Sequence, residues 1–301
     1  MELWIFATIT ATIFQTLRFM LQKQLSMGAL STGGATFARF AYSAPLLAVL
    51  VVAWFMMSGT EFPNITARFW IMGAIGGLAQ ILATVCVVAL FRARNFAVGI
   101  TFKKTEVILS ALVGFIVLGE GVSSLGFVAI LVGLTGVLLL SSTPEAQGSL
   151  KERIFTRAAG LGLASGLMFA ISGVTYRAAT LDVGADAPFL RAAVTLSAVT
   201  LMQFTAMGLW LRLFEKGQIT AVWAARRKAV WIGLMSLCGS LGWFVAFTLQ
   251  TAAYVNALGQ IELLFSLLVS VLVFKERLSA REGIGIGFLS ASVLLLILVT
   301  R

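Results

Sequence analysis

Two carboxylates, Glu106 and Glu262, lie in the middle of long apolar segments. A charge inside the hydrocarbon of a membrane is costly, so such a side chain normally faces the interior of a helix bundle or a water-filled cavity. There it can bind a cationic group or take up and release a proton. The chain has no histidine, the usual general base and metal ligand. These residue types therefore predict binding and ion coupling rather than catalysis.

The two carboxylates belong to a stretch that occurs twice. Residues 97–123 and 253–279 align without a gap at an offset of 156 positions. The identical pairs are Ala97 and Ala253, Glu106 and Glu262, Ser110 and Ser266, Val113 and Val269, Glu120 and Glu276, and Ser123 and Ser279. Each copy is long enough to cross a bilayer. The repeat therefore predicts two related membrane helices, one in each half of the chain.

Small and polar residues of each copy fall on one face of a helical wheel. They are Gly99, Lys103, Glu106, Ser110 and Gly114 in the first copy, and Gly259, Glu262, Ser266 and Ser270 in the second. Lys103 stands one turn before Glu106 and favours its charged form, whereas Gly259 stands at that place beside Glu262. We therefore expect Glu262 to take up a proton more readily and to be the better group for ion coupling.

The composition excludes an ordinary soluble domain. Hydrophobic residues make up 59% of the 301-residue chain and charged residues 11%, and long segments have no polar face to present to water. Most of the basic residues behind the net charge of +10 flank apolar segments, where they set topology rather than bind nucleic acid. We expect no cofactor and no nucleic acid, and the expected partners are the lipid bilayer and a small-molecule solute.

The apolar segments predict an all-α polytopic membrane protein with ten transmembrane helices. The predicted spans are 3–21, 33–57, 70–91, 96–118, 125–142, 158–178, 189–211, 229–250, 254–274 and 283–300. We divide the chain into a first five-helix repeat at 1–142, a linker at 143–157 and a second five-helix repeat at 158–301. Because each half has an odd number of spans, the second lies inverted relative to the first, a plan common in secondary transporters.

Basic residues are distributed unevenly between the loops. The odd-numbered loops hold fourteen Lys and Arg residues, against three in the even loops and the C-terminus. By the positive-inside rule, this bias predicts that the odd loops are cytoplasmic and that both termini lie on the far side.

Other polar residues within apolar spans complete a candidate site. Gln15 and Arg18 belong to a polar stripe on the first span that also includes Thr8, Thr12 and Gln22. This stripe either lines a cavity, or Arg18 snorkels to the interface while the threonines bond their own backbone. Trp243 either forms a platform for an apolar or aromatic solute or packs in the core. The candidate residues for solute binding or coupling are Gln15, Arg18, Gln80, Lys103, Glu106, Trp243, Asn256 and Glu262.

The ordered features of the two halves resemble the EamA type of the drug/metabolite transporter superfamily. Each half has an arginine near the start of its second span, in FARF at 37–40 and FLRA at 189–192, and each ends with an apolar helix, a Glu-containing turn and a glycine-rich helix. The resemblance implies a ten-helix bundle around a central cavity and export of amino acids or other metabolites by alternating access. Two features depart from the family pattern. Val107 and Leu263 stand where the family often has a proline, and the Lys103-Lys104 pair is unexpected.

These observations favour a secondary transporter of amino acids or similar zwitterionic or carboxylate solutes, in the cytoplasmic (inner) membrane. The chain has no P-loop for ATP, so energy comes from the solute gradient or from a coupling ion, for which a proton is the candidate. A proton-coupled exporter of drugs or lipophilic cations and, less favoured, a channel remain alternatives. An intramembrane enzyme is disfavoured because the chain lacks an HExxH motif and Asp182 and Asp186 lie in a loop.

Overall fold

The computed structural model describes residues 2–28, 30–91, 102–141, 156–265 and 280–299. Within these ranges the protein is helical and has no strand. The helices of the first half are α1 (Leu3–Ser26), α2 (Thr32–Ser58), α3 (Ala67–Leu90), α4 (Glu106–Leu118) and α5 (Ser124–Ser141). Those of the second half are α6 (Arg157–Leu181), α7 (Pro188–Phe214), α8 (Gln218–Ala224), α9 (Arg226–Leu249), α10 (Ala252–Gly259) and α11 (Ala280–Val299).

Six of these helices, α1, α2, α3, α6, α7 and α9, are long and apolar enough to cross a membrane. They contain 24 to 27 residues, and about 20 residues suffice for the hydrocarbon core of a bilayer. Helices α4, α5 and α11 are apolar over shorter stretches. The set of long apolar helices indicates a multi-pass membrane protein.

Large apolar side chains cover the outside of the helices. Examples on five different helices are Phe6, Met56, Ile116, Phe214 and Leu298, each more than half exposed. In water such a surface would drive aggregation, whereas in a bilayer it contacts lipid chains that are equally apolar. The exterior therefore agrees with the membrane assignment made from the helix lengths.

Most predicted spans correspond to one helix each, with ends shifted by several residues. The seven-residue helix α8 has no counterpart among them, because it is too short to register as an apolar span. It follows Gly217, whose φ of +87° lets the chain turn after α7. Parts of the fourth and ninth predicted spans, at 96–101 and 266–274, lie outside the described residues, and so does most of the predicted linker at 143–157, up to residue 155.

The sequence predicts the fourth and ninth spans as continuous helices, and this prediction is wrong within the described residues. Each span is interrupted by a two-residue turn, at 104–105 and at 260–261. The turns lie 156 positions apart, the spacing of the repeat, and directly precede Glu106 and Glu262. Both breaks form without a proline, so the absent proline hinge does not keep these helices straight.

Tighter hydrogen bonds and side chains satisfy the backbone at the two turns. The Thr105 and Gln260 amides donate to the carbonyls of Phe102 and Ala257, three residues back instead of four, at 3.2 Å in both cases. The Thr105 hydroxyl donates to the Phe102 carbonyl at 2.7 Å, and Gln260 Nε2 donates to the Asn256 carbonyl at 3.1 Å. A membrane supplies no water for freed backbone groups, so these side-chain bonds make the irregular turns tolerable.

Four of the five main helix pairs follow a pattern that is unchanged when the two halves are exchanged. These four are α3 with α6, α1 with α9, α5 with α11 and α2 with α7, and the fifth is α4 with α6. In the exchange, α1, α2, α3 and α5 correspond to α6, α7, α9 and α11, and the short helix α8 has no counterpart. The α3–α6 pair then becomes the α9–α1 pair. The exchange maps the α2–α7 and α5–α11 pairs onto themselves. The two halves therefore interdigitate instead of forming separate bundles.

Two glycines that match in the repeat lie at equivalent helix contacts. A β-carbon at Gly77 on α3 would lie 3.4 Å from Gln203 Cγ on α7, and one at Gly233 on α9 would lie 2.5 Å from Tyr42 Cβ on α2. A β-carbon at Gly77 would thus make an ordinary contact between α3 and α7, whereas Gly233 lets α9 approach α2 more closely than a side chain would allow. Small residues serve this purpose in membrane helices because they bring backbones close together.

An ion pair at one end of the bundle joins three elements. Arg177 Nε on α6 lies 2.7 Å from Glu120 Oε1 in the turn after α4. The same guanidinium donates from Nη1 to the carbonyls of Phe247 at 2.7 Å and Gln250 at 2.9 Å, at the end of α9. These bonds satisfy carbonyls that a helix C-terminus leaves without an intrahelical partner. Glu120 therefore has a structural role.

Replacing Gly166 with alanine should destabilise the protein, because α6 passes the interrupted backbone at this glycine. A β-carbon there would lie 2.9 Å from the Lys103 carbonyl oxygen, and the backbone cannot move away without disturbing the turn. We expect Gly166→Ala to lower the unfolding free energy by about 1–3 kcal/mol, measured by thermal unfolding of purified protein in detergent. Gly160→Ala on the same helix is the control, since its β-carbon would meet open space. Equal melting temperatures for both variants would contradict the close approach.

Candidate functional site

The central feature of the described structure is a polar cavity between α1, α2, α3, α4, α6, α9 and α10. The cavity itself has a volume of about 40 Å³, and the figure rises to about 580 Å³ when all space between atoms and the opening to solvent are included. Seven of the eight candidate residues line it, namely Gln15, Arg18, Gln80, Lys103, Glu106, Trp243 and Asn256. The eighth, Glu262, lies in the wall of an adjoining pocket that shares Lys103 with the cavity. The structure thus brings together residues that are far apart in the sequence.

Both membrane carboxylates are paired with lysines. Lys103 Nζ lies 3.0 Å from Glu106 Oε2, the one-turn ion pair that the sequence suggests. Lys104 contacts Glu262 Oε1, and this second pair joins the first half of the chain to the second. Lys103 and Lys104 are 4% and 1% exposed. Two adjacent lysines therefore neutralise both carboxylates, one in each half of the chain.

The premise that Glu262 has no cation beside it is wrong. The helical wheel considered only the neighbours on its own helix, where Gly259 offers no charge, whereas Lys104 reaches it from the other half. The space at Gly259 is not open to a solute either, because the ring of Trp243 fills it. A β-carbon on Gly259 would lie 2.6 Å from that ring. The sequence analysis expected Glu262 to take up a proton more readily than Glu106 because it had no cationic neighbour. Since both carboxylates have a lysine neighbour, this reason does not hold.

Gln15 connects Glu262 to Trp243. The Trp243 indole N–H donates to Gln15 Oε1 at 3.1 Å, and Gln15 Nε2 donates to Glu262 Oε2 at 3.3 Å. Trp243 also stacks on Phe247, with ring centroids 5.7 Å apart. The two interpretations of Trp243 hold together, because the side chain packs on Gly259 and also forms part of the cavity wall.

Arg18 faces the cavity rather than the membrane interface. Arg18 is 3% exposed, and its Nη1 atom is buried without a hydrogen-bond partner among the described residues. The guanidinium lies 4.3 Å from the centroid of the Phe19 ring. The snorkelling alternative is therefore wrong for Arg18. It is correct in part for the threonines, since Thr8 and Thr12 bond the carbonyls of Trp4 and Ile9 on their own helix.

Arg39 is a cavity residue that the sequence reasoning missed as part of the site. It is 4% exposed and donates to Ser236 Oγ at 2.8 Å, Ser240 Oγ at 3.0 Å and Thr84 Oγ1 at 3.3 Å. All of these partners are neutral hydroxyls. The FARF pattern contains Arg39, but the sequence analysis used it only as a family feature. Its counterpart Arg191 donates instead to the Ala185 carbonyl near the start of α7, so the halves differ here.

An amide and phenol cluster forms another part of the wall. The Tyr176 hydroxyl and Gln203 Nε2 both donate to Gln80 Oε1, at 3.1 and 3.0 Å. Gln203 Nε2 also lies 2.9 Å from the Gly77 carbonyl oxygen. Sequence reasoning found Gln80 but missed Tyr176 and Gln203. For Gln203 the available signal was a single polar side chain in the middle of an apolar helix, the signal that identified Gln80, whereas Tyr176 lies near the end of α6.

Asn256 connects the two interrupted helices. Its Nδ2 donates to Ser110 Oγ at 2.7 Å, and the Ser110 hydroxyl donates to the Glu106 carbonyl at 2.7 Å. The side chain thus joins α10 to α4 beside the first ion pair. Within the described residues no three acidic or cysteine side chains come together, which leaves no candidate set of metal ligands there. The arrangement is suited to binding and release of a charged solute.

Together, the fold and the cavity define a helical multi-pass membrane protein with a buried, charged site at its centre. No protein-family model matches the chain, and no curated protein matches it. Solved structures do match. One, described as "Crystal structure of protein", covers 96% of this chain and 98% of its own with 18% sequence identity and a TM-score of 0.64. At this identity the likeness shows a shared fold over nearly the whole chain.

Removing one member of the Lys104–Glu262 pair should destabilise the protein more than removing both. Glu262→Gln leaves the charge of Lys104 buried without its carboxylate, which costs about 3–5 kcal/mol in comparable buried pairs. We expect a clear loss of melting temperature for Glu262→Gln and recovery of more than half of it in Lys104→Met/Glu262→Gln. The exposed Glu61→Gln is the control. Additive losses in the double-mutant cycle would show that the two side chains do not interact energetically.

Proposed function

We propose that the protein is a secondary transporter that carries a small carboxylate-bearing solute through the central cavity. The observation that supports this most directly is Arg18, a buried cation in that cavity with a guanidinium nitrogen that no described residue bonds. Leaving such a donor unsatisfied is costly. A carboxylate satisfies a guanidinium with charge-assisted and often bidentate hydrogen bonds.

The architecture supports alternating access. In the proposed arrangement, ten transmembrane helices form two inverted five-helix repeats, 1–142 and 158–301, joined by the linker at 143–157. The exchange-related helix pairs and the matched breaks before Glu106 and Glu262 support this plan. Interrupted helices near the midplane, at the interface of inverted repeats, are typical of solute sites in secondary transporters. Movement of one repeat against the other would open the cavity to each side in turn.

The ion pairs suggest how the cavity is closed on one side. Lys103 borders both the central cavity and the adjoining pocket, and the Lys104–Glu262 pair stands in the wall of that pocket. In our proposal these two pairs and the Gln15 bridge form the closed side of the site. Opening it requires the pairs to separate, and a proton taken up by Glu106 or Glu262 would favour that separation. A proton thus remains the candidate coupling ion.

The two alternative transport functions fit the cavity less well. Aromatic side chains line part of the cavity, as a lipophilic cation would require. Both carboxylates are occupied by lysines, however, and two arginines also line the cavity, so its charge repels a cation. A channel needs a continuous polar path, whereas the ion pairs and the Trp243 ring stand across the site. Export as the direction, and the cytoplasmic membrane as the location, come from the family resemblance.

Counterflow into liposomes tests this proposal. Purified protein is reconstituted with an unlabelled solute inside, and entry of the same labelled solute is followed for a panel of carboxylates, amino acids and one lipophilic cation, tetraphenylphosphonium. We expect saturable counterflow of at least one carboxylate-bearing solute. Arg18→Gln should lower that rate about tenfold or more, since one charge-assisted bond contributes about 1.5–3 kcal/mol. The exposed Arg68→Gln should transport normally.

Three outcomes would contradict the proposal. Non-saturable flux without counter-exchange would indicate a channel. Counterflow of tetraphenylphosphonium alone would indicate a lipophilic-cation transporter. Counterflow of a carboxylate that is equally fast in Arg18→Gln and in the wild type would exclude Arg18 from the binding site.

A further inference from the structure

The chain places few acidic residues inside its apolar spans. Only Glu106 and Glu262, of 12 acidic residues, lie within the predicted spans. The other ten lie outside them: Glu2, Glu61, Glu120, Glu145, Glu152, Asp182, Asp186, Glu215, Glu276 and Glu282. Among the residues that the structure describes, Glu106 and Glu262 are the two carboxylates that border the cavity or the adjoining pocket.

Four cations stand against those two carboxylates. Arg18, Arg39, Lys103 and Lys104 are between 1% and 4% exposed. Lys103 and Lys104 pair with the two carboxylates, one each. The two arginines remain, and both line the central cavity. Counted over the residues that the structure describes, the buried site therefore carries an excess of two positive charges.

The other arginines of the spans do not change this balance. Arg177 pairs with Glu120 at the end of α6, and Arg191 bonds a carbonyl near the start of α7. Neither residue is among those that line the cavity. The excess thus belongs to the cavity itself.

The neighbours of the two cavity arginines do not neutralise them. Within the described ranges, Arg39 donates to the hydroxyls of Ser236, Ser240 and Thr84. Arg18 is repelled by Arg39 and attracted by Glu262, which is already bound by Lys104 and by Gln15. Two guanidinium groups of like charge thus face one buried space.

The charge of a solute decides how well it relieves this excess. A zwitterion has no net charge and would also need a carboxylate for its ammonium group, while both carboxylates are held by lysines. A monoanion neutralises one arginine and leaves the second charge buried. A dianion neutralises both, and uncompensated buried charge is the larger cost in a low-dielectric site.

We propose that the cavity is a binding site for a small organic dianion, with Arg18 and Arg39 as its two cationic contacts. Ser236 and Ser240 accept hydrogen bonds from Arg39, so each keeps a hydroxyl proton that it can donate to the same anion. Dicarboxylates and phosphate monoesters share this chemistry. That the dianion is also transported rests on the proposed function; that it binds does not.

A matched set of four-carbon probes tests the charge of the ligand. Thermal unfolding of the purified wild-type protein is measured against increasing butanedioate, butanoate and 4-aminobutanoate, which are a dianion, a monoanion and a zwitterion of similar length. Butanedioate should bind at least about tenfold more tightly than butanoate, equivalent to 1.4 kcal/mol, and 4-aminobutanoate should give no shift. Ethyl phosphate forms a further arm that distinguishes a phosphate monoester from a dicarboxylate.

Single-charge variants assign the site to the two arginines. Arg18→Gln and Arg39→Gln should each weaken binding of the preferred dianion about 10- to 100-fold, the loss of one charge-assisted bond. Each variant should then bind butanoate and butanedioate with equal affinity. Arg68→Gln, which removes an exposed arginine, should retain the preference of the wild type. If a variant does not fold, the probe series on the wild type still decides the charge of the ligand.

The outcomes separate this inference from the transport proposal. Binding of 4-aminobutanoate as tight as that of both dianions, or no binding of either dianion, would overturn the dianion site. If zwitterions nevertheless showed counterflow, the transport function would still be supported. Tight dianion binding without counterflow of any solute would support the site and contradict the transport function. A dianion preference that survives both arginine variants would also overturn the assignment.

Discussion

Compensation of buried charge is the constraint on which the rest of this structure depends. An apolar helix bundle tolerates ionised side chains only where they are paired, bonded or hydrated. Two lysine–carboxylate pairs meet this condition within the bundle, at Lys103–Glu106 and Lys104–Glu262. Arg18 and Arg39 meet it only in part, because neither forms an ion pair with a carboxylate in the part of the chain that the structure describes. The position of the cavity, the helix breaks and the proposed ligand all follow from where these charges are placed.

The interrupted helices make that placement possible. The turns at 104–105 and 260–261 release the backbone from regular helix directly before Glu106 and Glu262. Side-chain hydrogen bonds satisfy the freed carbonyls, and Gly166 lets α6 pass close to the first turn. The second ion pair then bridges the two halves of the chain. A site built at such an interface can change its accessibility when the halves move against each other.

The sequence predicted the helical membrane class, most of the spans and seven residues of the cavity wall, because isolated polar residues in apolar segments have few explanations other than a buried site. It failed where tertiary contacts decide. A helical wheel compares residues of one helix only, so it could not show that Lys104 reaches Glu262 from the other half or that Trp243 fills the space at Gly259. Arg39 and Tyr176 were missed because each lies near a helix end, where charged and phenolic groups are ordinary. The helix breaks were missed because neither turn contains a proline, and a glycine precedes only the second turn, at Gly259.

Accessibility of the cavity from the two sides of the membrane tests the central claim most directly. Ser172 lines the cavity and is 3% exposed; Ser172→Cys, in a chain whose Cys86 and Cys238 are replaced by alanine, provides one reactive thiol there. A membrane-impermeant thiol reagent is applied to oriented vesicles from either side, with and without butanedioate. Alternating access predicts labelling from each side in separate populations, with a solute-dependent shift between them. Labelling from one side only under all conditions would contradict it.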